Sequence, residues 1–570
     1  MVYYLDALQS AYVRAIAEYL AISALHIRLD APGQGIDADI SVPCFTFSKV
    51  IGRPPQEIAR DLSASLSLRG VFRLDSAGGY LNIWLDPSAL AGGIRADFAS
   101  GRAYGTYDVG AGKIVISEFP SLNMAKPYSV GHLRPALQGW AVYKLMTAMG
   151  YRVVRDNHLG DYGTPFGKWA VGFYRYSSEQ ALAKRGVYEL ADVYIKVTED
   201  LKREKETGVS ELADQAQDWL LRLENEESEA VNLSERFNKL SLDHMHAVLT
   251  RMRIETDEEL GESFYVKEGQ TMVDQLLADG RAEVSEGAVI VRLNEYGIKT
   301  PMVLRKSNGA ALYATSDMAT LKYRAERWHP TKVIHHVGGE QQFYFQQLFA
   351  LAKKLGYEDI EFVHVWHGMI DQVSQDGTRE KMSSRRGVIL LEELLDVAEQ
   401  KAAELLSDRS ESNAENVRKV ALGAVKFNDF ARDIRTGILF DWDSIFSLHG
   451  RSGPYVQYAA VRISSILAKL GTANVNGGES GYGFEAERSL LRMIAQYPQA
   501  VREAAEGYQP YKVAAFLYDL AHEWNGYYER VSILHSEGPA LSGRVEVLRM
   551  LYYVFEHGLD LLGIEVPSRM

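Results

Sequence analysis

The chain has 570 residues, 46% hydrophobic and 24% charged, the balance of an ordinary soluble globular protein, which excludes a disordered or fibrous chain. At about 150 residues per domain, this length predicts three or four domains. Acidic residues outnumber basic ones by 75 to 62, which excludes chain-wide nonspecific nucleic-acid binding, and the single cysteine, Cys44, excludes an intramolecular disulfide and a thiolate zinc site.

The opening "MVYYLDALQSAYVRAIAEYL" lacks a basic leader and spaces Leu5, Leu8, Tyr12, Ile16 and Tyr19 as one helix face, so it reads as a surface helix rather than a signal peptide. No run of about 18 uncharged apolar residues occurs, so a soluble, cytoplasmic protein is expected. A strand-like piece, the Pro54-Pro55 break, a helix and the alternating "GGYLNIWLDP" predict a small α+β domain over residues 1–105. After a Gly-rich linker come the strand "KIVISEF", the loop "NMAKPYSVGHLRP", a helix with Leu137, Ala141, Leu145 and Met149 on one face and Gly150 as its stop, and the strand "YRVVRDNHL". Strand, loop, helix and strand make a βαβ unit, the first half of a parallel nucleotide-binding sheet over residues 106–190. Residues 191–289 turn charged and helical, an expected insertion. The sheet resumes over 290–390 with "TKVIHHVGG" and "EFVHVWHGM", followed by a helical connector, 391–449, and an all-helical C-terminal domain, 450–570.

The loop before the first crossover helix places His132 and Arg134 where unpaired backbone N–H groups and the positive helix end attract anions, and Gly131 permits close approach of a phosphate or adenine. Pro135 is harmless only within the first helical turn. Downstream, "REKMSSRRGVI" carries Arg379, Lys381, Arg385 and Arg386, enough positive charge for a triphosphate and a departing pyrophosphate. Each segment alone also fits a blander reading, a capped helix with a solvated His and a solvated basic turn. "GAGK" at Gly110–Lys113 precedes its strand and lacks the frame of a phosphate-binding Walker loop. His335, His336, His364 and His367 lie on strands without Cys or a carboxylate motif, so no protein-bound metal is expected.

Together the two loops resemble the HIGH and KMSKS signatures of class I aminoacyl-tRNA synthetases, in the same order and sheet context. "SEFPSLNMAKPYSVGHLRP", "NHLGDYGTPFGK", "LRKSNGAALYATSDMAT", "HHVGGEQQFYFQQLFALAKKLGY", "KMSSRRG", "FDWDSIFSLHGRSGPYVQYAAVRISSIL" and "LGIEVPSRM" resemble arginyl-tRNA synthetase in particular, from about Ser117 to the last residue and more loosely before it. The resemblance implies a multidomain α/β protein: a Rossmann-type catalytic domain with an inserted domain, an N-terminal domain touching the tRNA elbow and a C-terminal anticodon-binding bundle. It implies a ligase that activates L-arginine with ATP, companion Mg2+ arriving with the nucleotide, and passes the arginyl group to the terminal ribose of tRNA. Glu118, Tyr313 and Asp317 are then implied to hold the arginine side chain, Asn123 and Gln341 to orient its amino and carboxylate ends, and His158, with Gly160 and Asp161, to line the same pocket. Two carboxylates and an aromatic ring suit a guanidinium, which takes planar bidentate acceptors and a stacking partner. His132, Lys126, Lys381, Arg385 and Arg386 are implied to stabilise charge at the reacting phosphate, and Ser129, Gly131, Met369, Met382 and Ser383 to contact ATP.

Two positions depart from the family pattern. Ser129 stands for the first His of HIGH and Ser384 for the second Lys of KMSKS, with Lys126, Arg385 and Arg386 as the expected substitutes. These departures suggest the alternative of a catalytically silent paralogue that binds tRNA or arginine; Glu118, His132, Asp317 and Lys381 weigh against it. A nucleotidyltransferase for small phosphate esters, the third reading, has no use for the helical C-terminus. That region carries 11 Lys/Arg against 13 Asp/Glu, so its aromatics are the better RNA signal. Tyr455, Tyr458, Trp524, Tyr527 and Tyr528 are candidates for stacking on unpaired bases, with Phe45, Phe47 and Lys49 as N-terminal candidates. The family expectation is a monomer.

Overall fold

The computed structural model describes residues 2–33, 35–124, 126–368, 370–373, 379–381, 390–407, 413–471 and 482–570. Met369, Met382, Ser383, Ser384, Arg385 and Arg386 lie outside the described residues, and Lys381 is described only as the end of the short strand Arg379–Lys381.

Five parallel strands form the central sheet in the order Glu361–His367, Lys332–Gly338, Ile114–Glu118, Arg152–Leu159 and Glu258–Gly261. Val115, Ile116, Val333 and Ile334 are buried, as expected of strands covered on both faces. Numbered along the chain, the strands read 5-4-1-2-3 across the sheet, so the winding reverses between Ile114–Glu118 and Lys332–Gly338. The crevice beyond the carboxyl ends of strands at such a reversal is where open parallel sheets bind ligands. Register places Glu118 opposite His335 on one side and Asp156 on the other.

The first crossover helix, Leu133–Ala148, is buried almost all round, because the sheet takes one side and the C-terminal helices the other. Gly139 makes the close passage possible: a side-chain carbon there would lie 2.2 Å from the Phe119 ring. Pro135 is the third residue of this helix, within the turn where its missing N–H costs little.

The expected insertion at 191–289 needs correction. Its helices begin at Thr164–Tyr176 and end with Ser228–Met252, and the chain then rejoins the sheet as Glu258–Gly261. "EELG" is a short polar strand at the sheet's edge, so it carries no apolar run to announce it. A second excursion follows, an antiparallel sheet of Glu283–Ser285, Ala288–Leu293 and Ile298–Arg305, which straddles the expected boundary.

In the N-terminal unit a three-stranded antiparallel sheet of Ile40–Pro43, Tyr80–Leu85 and Val71–Ala77 carries the helix Pro55–Ser65, and the helix Tyr4–Leu20, which buries Leu5, Leu8, Tyr12 and Ile16, packs on the helix Pro87–Phe98. At the other end, the helices Gly453–Leu470, Arg488–Glu506, Tyr511–Arg530 and Gly538–Leu561 form the C-terminal bundle. One apolar core runs from the N-terminal unit through the sheet to this bundle. No helix among the described residues is long and apolar enough to cross a membrane.

Candidate active site

The loop after Ile114–Glu118 is pinned at both ends. Beyond the cis Phe119–Pro120 bond, Ser121 N donates to Asn157 Oδ1 at 3.2 Å, Gly160 N to Leu122 O at 2.8 Å and Met124 N to Gly160 O at 3.0 Å. Gly160 is required here, since a side-chain carbon would meet Asn123 Oδ1 at 2.4 Å. Further along, Ser129 N donates to His132 Nδ1 at 3.2 Å and Ser129 Oγ lies 3.0 Å from the same nitrogen. A ring nitrogen that accepts a backbone N–H carries no proton, so the His132 proton sits on Nε2. Burial, with a smaller contribution from the Lys126 charge, pushes this imidazole down to about 4, so it is neutral at pH 7. Lys126 is exposed, its Nζ 5.2 Å from the centre of the Tyr194 ring.

The segment after the KMSKS-like stretch meets this loop. Leu390 bridges Ser129 in antiparallel fashion, and Leu391 N donates to Tyr128 O at 2.9 Å. Arg134, expected near phosphate, faces elsewhere: it is buried, with Nε donating to Asp429 Oδ1 at 2.8 Å and Nη1 to the carbonyls of Gly368 and Thr436 at 3.0 and 2.9 Å. Its carboxylate partner is 295 residues away in the chain, which is why the sequence pointed to the loop instead.

Acids gather in the crevice. Glu118 Oε2 lies 2.6 Å from Arg324 Nη1 and 3.0 Å from His335 Nδ1, while Ser121 Oγ donates to Oε1 at 3.3 Å. Burial pushes Glu118 up, but His335 and Arg324 outweigh it and hold the carboxyl well below the usual range. Asp317 accepts a hydrogen bond from the Tyr344 hydroxyl, and His158 Nε2 stands 3.5 Å from its other oxygen; burial raises its pKa. Tyr313 opens the helix Tyr313–Trp328 one turn before Asp317 and is 62% exposed. Glu262, the first residue of the helix Glu262–Ala278, is buried, and desolvation together with the neighbouring Asp317 and Asp161 carboxylates pushes it up to about 8. Sequence reasoning missed it, because an acid at a helix start is commonplace. Asp161, expected to line the pocket, instead caps that helix: Ser263 N and Oγ donate to its two oxygens at 2.9 and 2.6 Å. Gln341 ends the single turn Gly339–Gln341 and is exposed, at the carboxyl end of Lys332–Gly338.

The strand histidines are engaged within the protein, His336 Nε2 3.1 Å from Ser117 Oγ, His364 Nε2 3.2 Å from Val337 O and His367 Nδ1 3.2 Å from Gly368 O. No group of three or more His, Cys, Asp or Glu among the described residues is placed to hold a metal.

Of the aromatic candidates for RNA, Trp524, Tyr527 and Phe47 are buried core, which corrects their reading as stacking surfaces. Helical spacing put them beside exposed rings, but their own face of each helix points inward. Arg462 packs over Tyr458 and Tyr528 at 4.7 and 4.8 Å, and half-buried Tyr455 accepts a hydrogen bond from Asn525 Nδ2 at 2.9 Å. Phe45 is exposed, edge-on to Tyr80 with ring centres 5.3 Å apart.

A parallel sheet whose winding reverses beside this crevice, with an anion-type loop opening its first crossover helix and a helical bundle after it, has the plan of a class I aminoacyl-tRNA synthetase. The family model described as tRNA synthetases class I (R), catalytic domain, matches residues 95–442; those described as Arginyl tRNA synthetase N terminal domain and DALR anticodon binding domain match 6–85 and 456–570. Arginine–tRNA ligases of Lactococcus lactis (strain IL1403) and Streptococcus pneumoniae (strain CGSP14) are 31% and 32% identical to this chain over 563 and 562 residues, 98% of this chain and 98% of each relative. The chain belongs to the arginyl-tRNA synthetase family. In fold it is similar to the Thermus thermophilus arginyl-tRNA synthetase, with a TM-score of 0.81 at 24% identity over 99% of this chain and 100% of that one. The Plasmodium falciparum arginyl-tRNA synthetase gives 0.79 at 18% identity over the whole of both chains.

Proposed function

We propose that the crevice activates arginine with ATP and that the same chain then charges tRNA, with the residue roles that follow. The observation that carries this reading is that the strand ending in Glu118, one of the crevice's buried carboxylates, leads into the loop that holds a neutral His132 with its proton on Nε2. Asp317 and Glu118 receive the guanidinium, Tyr313 covers it, and His158 supports Asp317. Glu262 gives the pocket a third acid. A cationic side chain entering such a site offsets the desolvation that raises Asp317 and Glu262. Asn123 and Gln341 orient the amino and carboxylate ends.

The arginine carboxylate oxygen attacks the α-phosphorus of ATP, the bond from that phosphorus to the bridging oxygen breaks, and pyrophosphate leaves. His132 donates from Nε2 to the phosphate oxygens as charge builds, and Lys126, Lys381, Arg385 and Arg386 neutralise the departing group. Ser129 orients His132 rather than touching phosphate directly, and Gly131, Met369, Met382 and Ser383 border the nucleotide. Mg2+ accompanies the ATP phosphates. A terminal ribose hydroxyl of tRNA then attacks the arginyl carbonyl and AMP departs. Tyr455, Tyr458 and Tyr528 around Arg462 are the proposed anticodon-loop surface, and Phe45 the proposed elbow contact. We place the protein in the cytoplasm as a monomer.

Lys126 tests the charge assignment. Lys126→Ala is expected to slow arginyl-adenylate formation ~10²-fold, as measured by ATP–pyrophosphate exchange in the presence of tRNA. A rate within a factor of two of the parent would remove Lys126 from the reacting site.

A further inference from the structure

We infer that Arg324 is a positioning residue for substrate recognition, an internal guanidinium that fixes where the incoming guanidinium must stop. Arg324 lies two turns beyond Asp317 on the helix Tyr313–Trp328, on the same face, and is 2% exposed. Its Nε donates to Asp156 Oδ2 at 2.7 Å, Nη2 lies 2.7 Å from the same oxygen, and Nη1 is 2.6 Å from Glu118 Oε2. Glu118, the last residue of its strand, stands opposite Asp156 within the neighbouring strand, and both are buried. One helix therefore carries both the acid assigned to the substrate, Asp317, and the cation that occupies the deeper pair of acids.

Two buried carboxylates side by side cannot both stay ionised unaided; one takes up a proton, and the pair titrates as a unit. Arg324 eases that conflict, although burial still raises Asp156. Its fork engages Asp156, and His335 and Arg324 together hold Glu118 well below the usual carboxylate range, while Oε1 accepts from the Ser121 hydroxyl. Without it, Asp156 and Glu118 would share one proton, the incoming guanidinium would lose Glu118 as an ionised, fixed acceptor, and arginine would bind more weakly. The fork of a guanidinium, reaching two carboxylates on two strands at once, is what a lysine cannot reproduce. This inference rests on the proposed role of Glu118 in holding arginine.

Arg324→Ala is expected to raise KM for arginine roughly 10–100-fold, the size of effect that follows from losing a hydrogen bond to a charged acceptor. KM for ATP should be unchanged. Millimolar methylguanidinium, seated between Asp156 and Glu118, should restore much of the loss, a rescue that a merely structural defect would not show. Arg324→Lys and Asp156→Asn, which keep a cation in place, should each raise KM for arginine several-fold with ATP unaffected. If Arg324→Ala does not fold, those two variants carry the test. Unchanged arginine KM in the folded variants, or equal loss toward arginine and ATP with no response to methylguanidinium, overturns the inference. Glu118→Gln separates it from the reading beneath it: an unaltered arginine KM in that variant removes Glu118 from substrate binding whatever Arg324 does.

Discussion

Replacing Asp317 with Asn is expected to raise KM for arginine ~10²–10³-fold while KM for ATP holds, because removing one member of a buried charge pair costs about 3–5 kcal/mol. Asparagine has nearly the same shape and can still accept from Tyr344, whose hydroxyl bonds Asp317 in the parent chain, so the helix Tyr313–Trp328 keeps its place. The defect is therefore one of substrate binding rather than of folding. Steady-state charging at varied arginine and at varied ATP separates the two constants. A proportional rise in both would place Asp317 in the scaffold and not in the arginine pocket.

The second large effect belongs to His132. His132→Ala is expected to lower the rate of arginyl-adenylate formation ~10²–10³-fold, the cost of deleting one preorganised donor to a developing anion. Its pH behaviour discriminates further. The imidazole is pushed down to about 4, so between pH 5 and 8 it stays neutral with its proton on Nε2, and the parent rate should show no acid limb near 6.5 attributable to this group. The sign follows from the shift: a histidine whose pKa is depressed is charged only below that depressed value. Ser129 is central to this state, since its N–H occupies Nδ1. An acid limb near 6.5 that disappears in His132→Gln would show instead that the protonated imidazole takes part.

Much of this site was readable from particular residues. The strands "KIVISEF", "YRVVRDNHL", "TKVIHHVGG" and "EFVHVWHGM" were recognisable because central parallel strands are apolar on both faces, and all four occur in the sheet. The fifth, Glu258–Gly261, escaped because an edge strand needs no apolar run, and missing it misplaced the insertion boundary. Spacing within one segment was informative: Tyr313 and Asp317 do share a helix that begins at Tyr313. Contacts between distant segments were not. Arg134 looked like a phosphate ligand until its partner Asp429 came into view, and Arg324, Asp156 and Glu262 reach the crevice only through the sheet topology. The buried Trp524 and exposed Tyr528 stand four residues apart, a spacing that does not by itself tell core from surface when a helix is packed on several sides.

The same topology explains why Ser129, in the place where the family pattern has a histidine, is compatible with an intact site. Its backbone and hydroxyl hold His132, and the bridge from Ser129 to Leu390 brings the end of the KMSKS-like segment to the same loop.

Charging of total tRNA by the purified chain, with labelled arginine and labelled lysine in parallel, tests the central claim most directly. The account predicts ATP-dependent charging with arginine and none with lysine. Failure to charge arginine while tRNA remains bound, or charging with lysine at a comparable rate, would contradict it.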